Sequence, residues 1–206
     1  MNDQSAPDEG AFSFLPGHTQ AELRGKIRGW EFLTTRDLLT SRRKPHEWTG
    51  PFLLSIHRDV FSSGFPTLAG SCRKGETNFG SRAGPPPEQI HALIDQLVVS
   101  TRSHLLEVLQ ESDQGKRLDL TFKYAAIDHG EMIRVHPFSD GNGRWARIAT
   151  NAFLFDAGCP VGTIIRKNDK LAYIAALDRC MDKGAPGDLA NLFLDGYLAA
   201  MRKRLM

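Results

Sequence analysis

Apolar residues recur at helical spacing along most of the chain, which predicts a mostly α-helical protein. Thr19 and Glu22 have the spacing of a capping box, so they open a first helix that runs towards Trp30 or Leu33. A second helix begins after Thr49, where a proline suits the first turn. Further helices are predicted from apolar stripes over residues 90–98, 122–133, 145–153, about 169–181 and 187–204.

Residues 64–87 interrupt this helical pattern. Glycines recur throughout the segment and three prolines close it, so no helix persists there. We expect a short hairpin or extended flap around Arg73–Phe79. The predicted fold class is therefore all-α, a helical bundle with a short β-hairpin flap.

The chain length of 206 residues suggests one domain with a small appendage. Residues 1–17 are rich in glycine, proline and acidic side chains, which is typical of a loose arm. Residues 111–117 read as a polar turn between two helices. We divide the chain into an N-terminal arm and helix over residues 1–44 and a core domain over residues 45–206.

The composition is that of a protein with a packed core, since 41% of residues are hydrophobic and 24% are charged. A formal charge of +2 gives no reason to expect nucleic acid or a membrane as partner. Cys72, Cys159 and Cys180 are odd in number and include no CxxC pair, which argues against a disulfide scaffold or a zinc cluster. The N-terminus lacks the pattern of a signal peptide, so we expect a cytoplasmic protein.

The chemistry-bearing segment lies between two predicted helices and begins at His136. Gly141 and Gly143 remove side chains where a backbone must approach a ligand closely, just where the next helix starts. The first N–H groups of a helix have no partner within it, and the helix dipole is positive there, so this turn can bind an anion. The side-chain amide of Asn142 can add a donor.

The flanking charged residues suit a nucleotide phosphate. Arg144 and Arg147 are three residues apart and share a helical face, where guanidinium groups match phosphate oxygens. Asp140 precedes the turn and is a natural Mg²⁺ ligand beside phosphates. His136 titrates near neutrality and suits a general base, while Phe138 should point inward and hold the loop.

This segment resembles the signature of the Fic (filamentation induced by cAMP) domain family, H-x-F-x-[D/E]-G-N-G-R-x-x-R. All eight specified positions match, and they are His136, Phe138, Asp140, Gly141, Asn142, Gly143, Arg144 and Arg147. The resemblance extends over most of residues 45–200 and implies a Fic-type helical bundle. The whole chain also resembles small bacterial Fic proteins of the mobile-element type (mobile mystery protein B-like).

The resemblance implies a protein adenylyltransferase, which moves AMP from ATP to a Tyr, Thr or Ser hydroxyl of a target protein and releases pyrophosphate. His136 would be the base and Asp140 would hold Mg²⁺. The remaining motif residues would bind the α- and β-phosphates or the outer phosphates, and they are Gly141, Asn142, Gly143, Arg144 and Arg147.

The flap would hold the target by strand addition, as the resemblance implies. The residues assigned to it are Arg73, Lys74, Gly75, Glu76, Thr77, Asn78 and Phe79. Backbone pairing leaves little imprint on a sequence, so the identity of the target is not readable here. The resemblance also allows a homodimer.

Inhibition is a further implication, because many Fic proteins carry a glutamate that pairs with the second arginine of the motif. Glu9 lies in Ser5–Gly10, which matches the S/T-x-x-x-E-G pattern in letters, although Pro7 suits a helix poorly. Glu22 lies in a better helical stretch but departs from the pattern. The sequence leaves open inhibition by Glu9, inhibition by Glu22, a separate antitoxin, or none.

Two alternatives to AMP transfer remain. A Fic-like kinase would bind ATP in reverse, but relatives of that kind alter the positions of Gly141 and Arg144, which are intact here. A catalytically silent binding module would use the flap alone and would not need His136. His129 lies on an apolar face and is expected to be a hydrogen-bonded core histidine rather than a second base.

Overall fold

The computed structural model describes residues 20–40, 42–163, 165 and 169–205. Within these ranges the chain is a bundle of seven α-helices with one small antiparallel sheet, which confirms the predicted fold class. The helices are α1 (Gln20–Leu38), α2 (Gly50–Phe61), α3 (Ile90–Gln110), α4 (Gln114–Val135), α5 (Asn142–Asp156), α6 (Lys170–Lys183) and α7 (Gly187–Leu205). The strands are β1 (Asn78–Phe79) and β2 (Arg82–Ala83).

Side-chain caps define where two helices begin. Helix α2 starts directly after Thr49, as predicted, and the Thr49 hydroxyl accepts a hydrogen bond from the Phe52 N–H there. Asp113 caps α4 by accepting from the Lys116 N–H at 2.9 Å. The cap lets α4 begin at residue 114, inside the segment predicted as a polar turn. The first helix is also longer than predicted, since α1 continues to Leu38.

The hairpin lies later in the chain than the predicted segment Arg73–Phe79. Asn78 pairs with Ala83, and Phe79 pairs with Arg82. The turn between the strands contains Gly80 at φ 57°, a left-handed conformation that glycine adopts readily. Residues 73–77 therefore lead into the hairpin rather than form it.

Helix α4 is the centre of the bundle. It packs against α3, α5, α6 and α7, while α1 and α2 pack against each other and against α5. The core holds large apolar side chains from most of these helices, including Trp145, Phe153 and Phe193, each at most 1% exposed. Tight packing holds the end of α4 and the start of α5 together, and the chemistry-bearing segment lies there. Among the described helices, none has the length and apolar character that crossing a membrane requires.

A buried carboxylate fastens the far end of α5 to the chain that precedes α2. Asp156 accepts hydrogen bonds from the backbone N–H of Arg43 and from its guanidinium group, at 2.8 Å and 2.9 Å. It also accepts from the Trp48 indole N–H at 3.0 Å. Burial raises the pKa of Asp156, while these donors favour its charged form, and the hydrogen bonds hold α5 at the end opposite to the motif.

Candidate functional site

Helix α4 ends at Val135 and is capped by His136, whose backbone is left-handed with φ 45° and ψ 58°. No other non-glycine residue of the described ranges has a positive φ. Such a conformation costs about 1–2 kcal/mol for an L-residue and persists only where neighbours enforce it. Here the His136 N–H donates to the Met132 carbonyl at 3.3 Å, and the His136 carbonyl accepts from Arg73 Nε at 2.8 Å.

The imidazole of His136 is oriented by its own helix. Its Nδ1 lies 3.2 Å from the carbonyl oxygen of Ile133, which can only accept a hydrogen bond. The proton of the neutral ring is therefore assigned to Nδ1, and Nε2 is the basic nitrogen. The ring also stacks on Phe79 of β1, with centroids 4.7 Å apart and planes 4° apart. A neutral ring with its proton on Nδ1 is the tautomer that a general base acting through Nε2 needs.

Helix α5 begins at Asn142, and its N-cap Gly141 is also left-handed, with φ 80°. The Gly141 N–H donates to the carboxylate of Asp140, and its carbonyl accepts from the Trp145 N–H at 2.9 Å. A Cβ at Gly141 would lie 2.5 Å from Phe61 Cζ, so only glycine fits. The first N–H groups of α5 therefore lie where the sequence predicts an anion-binding helix start.

The side chain of Asn142 is occupied within the loop. Its oxygen accepts from the Phe138 N–H at 3.0 Å, and its NH₂ donates to the Phe138 carbonyl at 2.8 Å. Asn142 is only 2% exposed. The amide predicted to donate to phosphate therefore braces the loop in this structure, and its backbone N–H is what it presents at the helix start.

An aromatic stack supports the loop from below. Phe138 points inward as predicted, is 1% exposed, and stacks on the imidazole of His57 at 3.7 Å. The other face of His57 stacks on Phe61 at 4.4 Å, and Phe138 meets Trp145 edge-on. His57 lies outside the motif, and nothing in its sequence context singles it out as a support for this loop.

His57 holds the loop through both ring nitrogens. The Gly70 N–H donates to Nδ1 at 3.0 Å, so the ring proton lies on Nε2 and is donated to the Asp140 carbonyl at 3.0 Å. Burial lowers the pKa of His57 to about 4, although the hydrogen bond to Asp140 opposes the shift. His57 is therefore neutral at physiological pH and acts as a fixed brace.

The two arginines of the motif point to different surroundings. The guanidinium group of Arg144 lies 5.9 Å from the centroid of the Phe61 ring. Arg147 lines a cavity of about 200 Å³ together with Glu31 of α1 and His129 of α4. Arg144 and Arg147 thus present two guanidinium groups at different positions near the start of α5, which suits a ligand with several phosphates in a row.

His129 is the hydrogen-bonded core histidine that its apolar neighbours predict. It is fully buried, and its Nδ1 lies 2.8 Å from the Thr150 hydroxyl. Its Nε2 lies 2.7 Å from the Tyr173 hydroxyl. Burial, with the charge of Arg147 as a smaller cause, lowers the pKa of His129 to about 3.

The residues assigned to the flap divide into two groups. Lys74, Gly75, Glu76 and Asn78 are exposed, and Thr77 and Phe79 are half-buried. Arg73 differs from them because it is 5% exposed and its guanidinium group donates to the backbone carbonyl of His136, at the start of the loop over residues 136–141. The hairpin is also tied to α6, where Arg82 bonds Asp178 at 2.7 Å and also bonds Asp182.

The candidate inhibitory glutamates lie in different places. Glu9 lies outside the described residues, and Glu22 has an exposed side chain on α1. Glu31, which the sequence patterns did not single out, shares the cavity with Arg147. Its position follows from the packing of α1 against α5, the helix that carries Arg147.

The donor set at the loop fits a magnesium ion. Asp140 supplies a carboxylate directly before a helix start that attracts phosphate, and Mg²⁺ in such sites is held by one or two carboxylates together with phosphate oxygens. Within the described ranges no three His, Cys, Asp or Glu side chains form a metal-binding group. A Mg²⁺–nucleotide site does not need such a group.

A protein-family model matches the part of the chain that contains the motif. The family model described as "Fic/DOC family" matches residues 48–154, just over half of the chain. Several curated relatives are named "Protein adenylyltransferase Fic", and the one from Nematostella vectensis is 31% identical over 127 residues. That alignment covers 62% of this chain and 27% of the relative, so the chain spans about a quarter of that protein's length.

Solved structures share the fold at low sequence identity. Fic-1 (residues 134–508) from C. elegans aligns with a TM-score of 0.69 and 21% identity, covering 93% of this chain and 53% of that one. The BepC protein of Bartonella tribocorum, a VirB-translocated effector solved with bound AMPPNP, aligns with a TM-score of 0.63 and 18% identity. The alignment covers 86% of this chain and 87% of BepC.

Proposed function

The chain belongs to the Fic/DOC family, and from that premise we propose that it is a protein adenylyltransferase. It transfers AMP from ATP to a Tyr, Thr or Ser hydroxyl of a target protein and releases pyrophosphate. Relatives that carry this activity in their names support the proposal, as does the complete motif. The observation that supports the proposal most directly is the orientation of the His136 ring. Its Nδ1–H points to the Ile133 carbonyl, which leaves Nε2 to act as the base.

The residues of the loop can support each part of this transfer. Nε2 of His136 takes the proton of the target hydroxyl while the hydroxyl oxygen attacks the α-phosphorus of ATP. The bond from that phosphorus to the bridging oxygen breaks, and pyrophosphate leaves with the electron pair. The N–H groups at the start of α5 and the two arginines stabilise the charge on the phosphates.

The metal completes this arrangement in the proposal. Asp140 would hold Mg²⁺ together with phosphate oxygens, and the ion would neutralise the negative charge of the triphosphate. The Gly141 N–H donates to the same carboxylate, so helix start and metal ligand are connected.

The target segment would lie along the flap, and regulation would come from the N-terminal region. The exposed residues of 74–78 offer backbone groups for strand addition. We assign catalysis to residues 45–206 in the cytoplasm and regulation to residues 1–44. Glu9, Glu22 and Glu31 are the candidate inhibitory carboxylates, of which Glu31 already shares a cavity with Arg147.

The test uses ATP labelled at the α-phosphate with bacterial lysate. Wild type is compared with His136→Ala and with Glu9→Gly, Glu22→Gly and Glu31→Gly. AMP transfer is supported if label appears with wild type or a glutamate variant and is lost when His136→Ala is introduced into the same protein. The glutamate variant with the largest gain identifies the inhibitory carboxylate.

Other outcomes contradict the proposal. Transfer from γ-labelled but not α-labelled ATP would favour a kinase. If neither label transfers to any protein, including the enzyme itself, a binding module without catalysis becomes the better account.

A further inference from the structure

Arg73 is a buried arginine whose three donor groups all bind backbone carbonyls. Its Nε donates to the His136 carbonyl at 2.8 Å. Its two terminal nitrogens donate to the Gly75 carbonyl at 2.7 Å and to the Pro85 carbonyl at 2.6 Å. With 5% of the residue exposed, the guanidinium group is removed from any surface that a target could reach.

These carbonyls belong to two parts of the site. Gly75 precedes β1 and Pro85 follows β2, so Arg73 closes the base of the flap hairpin. His136 is the catalytic loop residue, and the Arg73 N–H also donates to the next carbonyl, that of Pro137, at 2.8 Å. One side chain and its own backbone therefore fasten the flap to the loop.

The fit around the guanidinium group is tight. A Cβ at Gly84 would lie 3.1 Å from an Arg73 terminal nitrogen and 2.7 Å from Thr77 Cγ2. The hairpin can close over Arg73 only because residue 84 has no side chain. Arginine offers several N–H donors in a rigid plane, which matches carbonyls that lie on different sides of one point.

The bond to His136 matters because the backbone there is left-handed. Its carbonyl is directed to Arg73, while its ring stacks on Phe79 at the tip of the same hairpin. The backbone and the ring of His136 are therefore both held by contacts with residues of the flap. The distance from Nε2 to a target segment on the flap follows from these two contacts.

We infer that Arg73 is a positioning residue for the proposed AMP transfer: it holds the His136 backbone and both ends of the flap in one register. The inference rests on the proposed function and adds a role that the signature motif does not contain. Arg73 acts through His136 and does not touch the nucleotide. The nucleotide-binding groups lie on α5, which Arg73 does not contact through any of these bonds.

The experiment compares Arg73→Ala and Arg73→Lys with a matched control, Arg102→Ala. Arg102 also donates to two backbone carbonyls, those of Trp48 and His46 at 2.6 Å and 3.1 Å, but it lies on α3 away from the loop. Self-labelling from α-labelled ATP with Mg²⁺ is measured well below the lowest melting temperature of the set. The rate at saturating ATP and the ATP concentration at half that rate are obtained separately.

A positioning role predicts a split between these two quantities. The saturating rate of Arg73→Ala falls about 100-fold, since a displacement near 1 Å at a reacting group has that effect. The half-saturating ATP concentration changes by less than about twofold, because phosphate binding is unaltered. Arg73→Lys keeps the charge without the planar fork and also loses rate, whereas added methylguanidinium restores part of the rate of Arg73→Ala. Arg102→Ala loses stability and keeps the wild-type rate.

A second readout does not depend on catalysis. The His136 ring signals are identified in a proton–carbon NMR spectrum by their absence in His136→Ala, and their shifts should move in Arg73→Ala and stay in place in Arg102→Ala. If neither wild type nor any of the glutamate variants transfers label, the proposed function fails and the NMR result alone decides the role of Arg73. Unmoved His136 signals, or equal loss of rate in Arg73→Ala and Arg102→Ala, would overturn the inference.

Discussion

Two left-handed residues bound the loop over residues 136–141, and they determine its shape at the scale of single residues. His136 at φ 45° caps the end of α4, and Gly141 at φ 80° caps the start of α5. Gly141 has a second constraint, because a Cβ would lie 2.5 Å from Phe61 Cζ and 3.0 Å from His57 Nε2. The conformation and the close neighbours both require glycine.

Gly141→Ala should therefore damage the proposed nucleotide site beyond the cost of backbone strain. We expect a loss of about 2–4 kcal/mol in the free energy of unfolding, since left-handed strain and overpacking add. AMPPNP binding, measured by calorimetry with Mg²⁺, should weaken at least tenfold. The matched control is Gly184→Ala, with φ 59° and no atom within 4 Å of the added Cβ. Equal effects of the two substitutions would contradict the steric account.

The neutral His57 ring predicts how stability depends on pH. Its pKa is about 4 in the folded protein against the ordinary 6.5, so between these values the unfolded chain takes up a proton that the folded one does not. Stability must fall as pH falls through this window. Denaturant unfolding should show the advantage of wild type over His57→Gln shrinking by about 2 kcal/mol from pH 7 to pH 5. A constant difference would mean that the pKa of His57 is the same in the folded and the unfolded chain.

At the scale of elements, the hairpin is held by three attachments of different chemistry. Arg73 closes its base, Phe79 stacks on His136 at its tip, and Arg82 forms ion pairs with Asp178 and Asp182 of α6. The ion pairs are partly exposed, because the Arg82 side chain retains 25% of its accessible surface. They are the attachment that salt can weaken.

Arg82→Ala should loosen the flap without destabilising the bundle. Hydrogen exchange of the Gly84 amide, which bonds the Thr77 carbonyl across the hairpin, should become several-fold faster, and faster in wild type at high salt. The global free energy of unfolding should change by less than about 1 kcal/mol. Arg179→Ala removes a comparable ion pair with Asp188 between α6 and α7 and should leave the flap amide unchanged.

At the scale of the whole molecule, the site is assembled from distant segments around α4. The brace at His57 comes from α2, the flap from residues 73–85, and the motif from the junction of α4 and α5. Asp156 fastens the other end of α5 to Arg43 and Trp48. A ligand held at the start of α5 should therefore stabilise the entire bundle.

Nucleotide binding should be visible as a change in melting temperature. AMPPNP with Mg²⁺ at about 100 times its dissociation constant should add about 2.7 kcal/mol to the free energy of unfolding. For a chain of this size that corresponds to a rise of roughly 5–10 °C, measured by calorimetry. Arg147→Ala should reduce the rise at the same nucleotide concentration. No rise in wild type at any concentration would contradict nucleotide binding at α5.

The sequence by itself determined the helical class, most helix positions and the motif. Helical periodicity and caps such as Thr49 are local signals, and every residue of the motif lies between His136 and Arg147. Local spacing is sufficient for that segment, because a helix end, a glycine turn and a helix start follow each other directly. The longer α1 and the later hairpin differ from the predictions because element ends depend on neighbours as well as on propensity.

Only the tertiary structure decided what supports the motif. His57 lies 83 residues before the Asp140 that it braces, and Arg73 lies 63 residues before His136. Histidine beside apolar residues and arginine in a glycine-rich segment have many possible partners, and periodicity does not choose among them. The register of the flap, the partner of Asn142 and the nearness of Glu31 to Arg147 likewise follow from helix packing, which brings together groups that are remote along the chain.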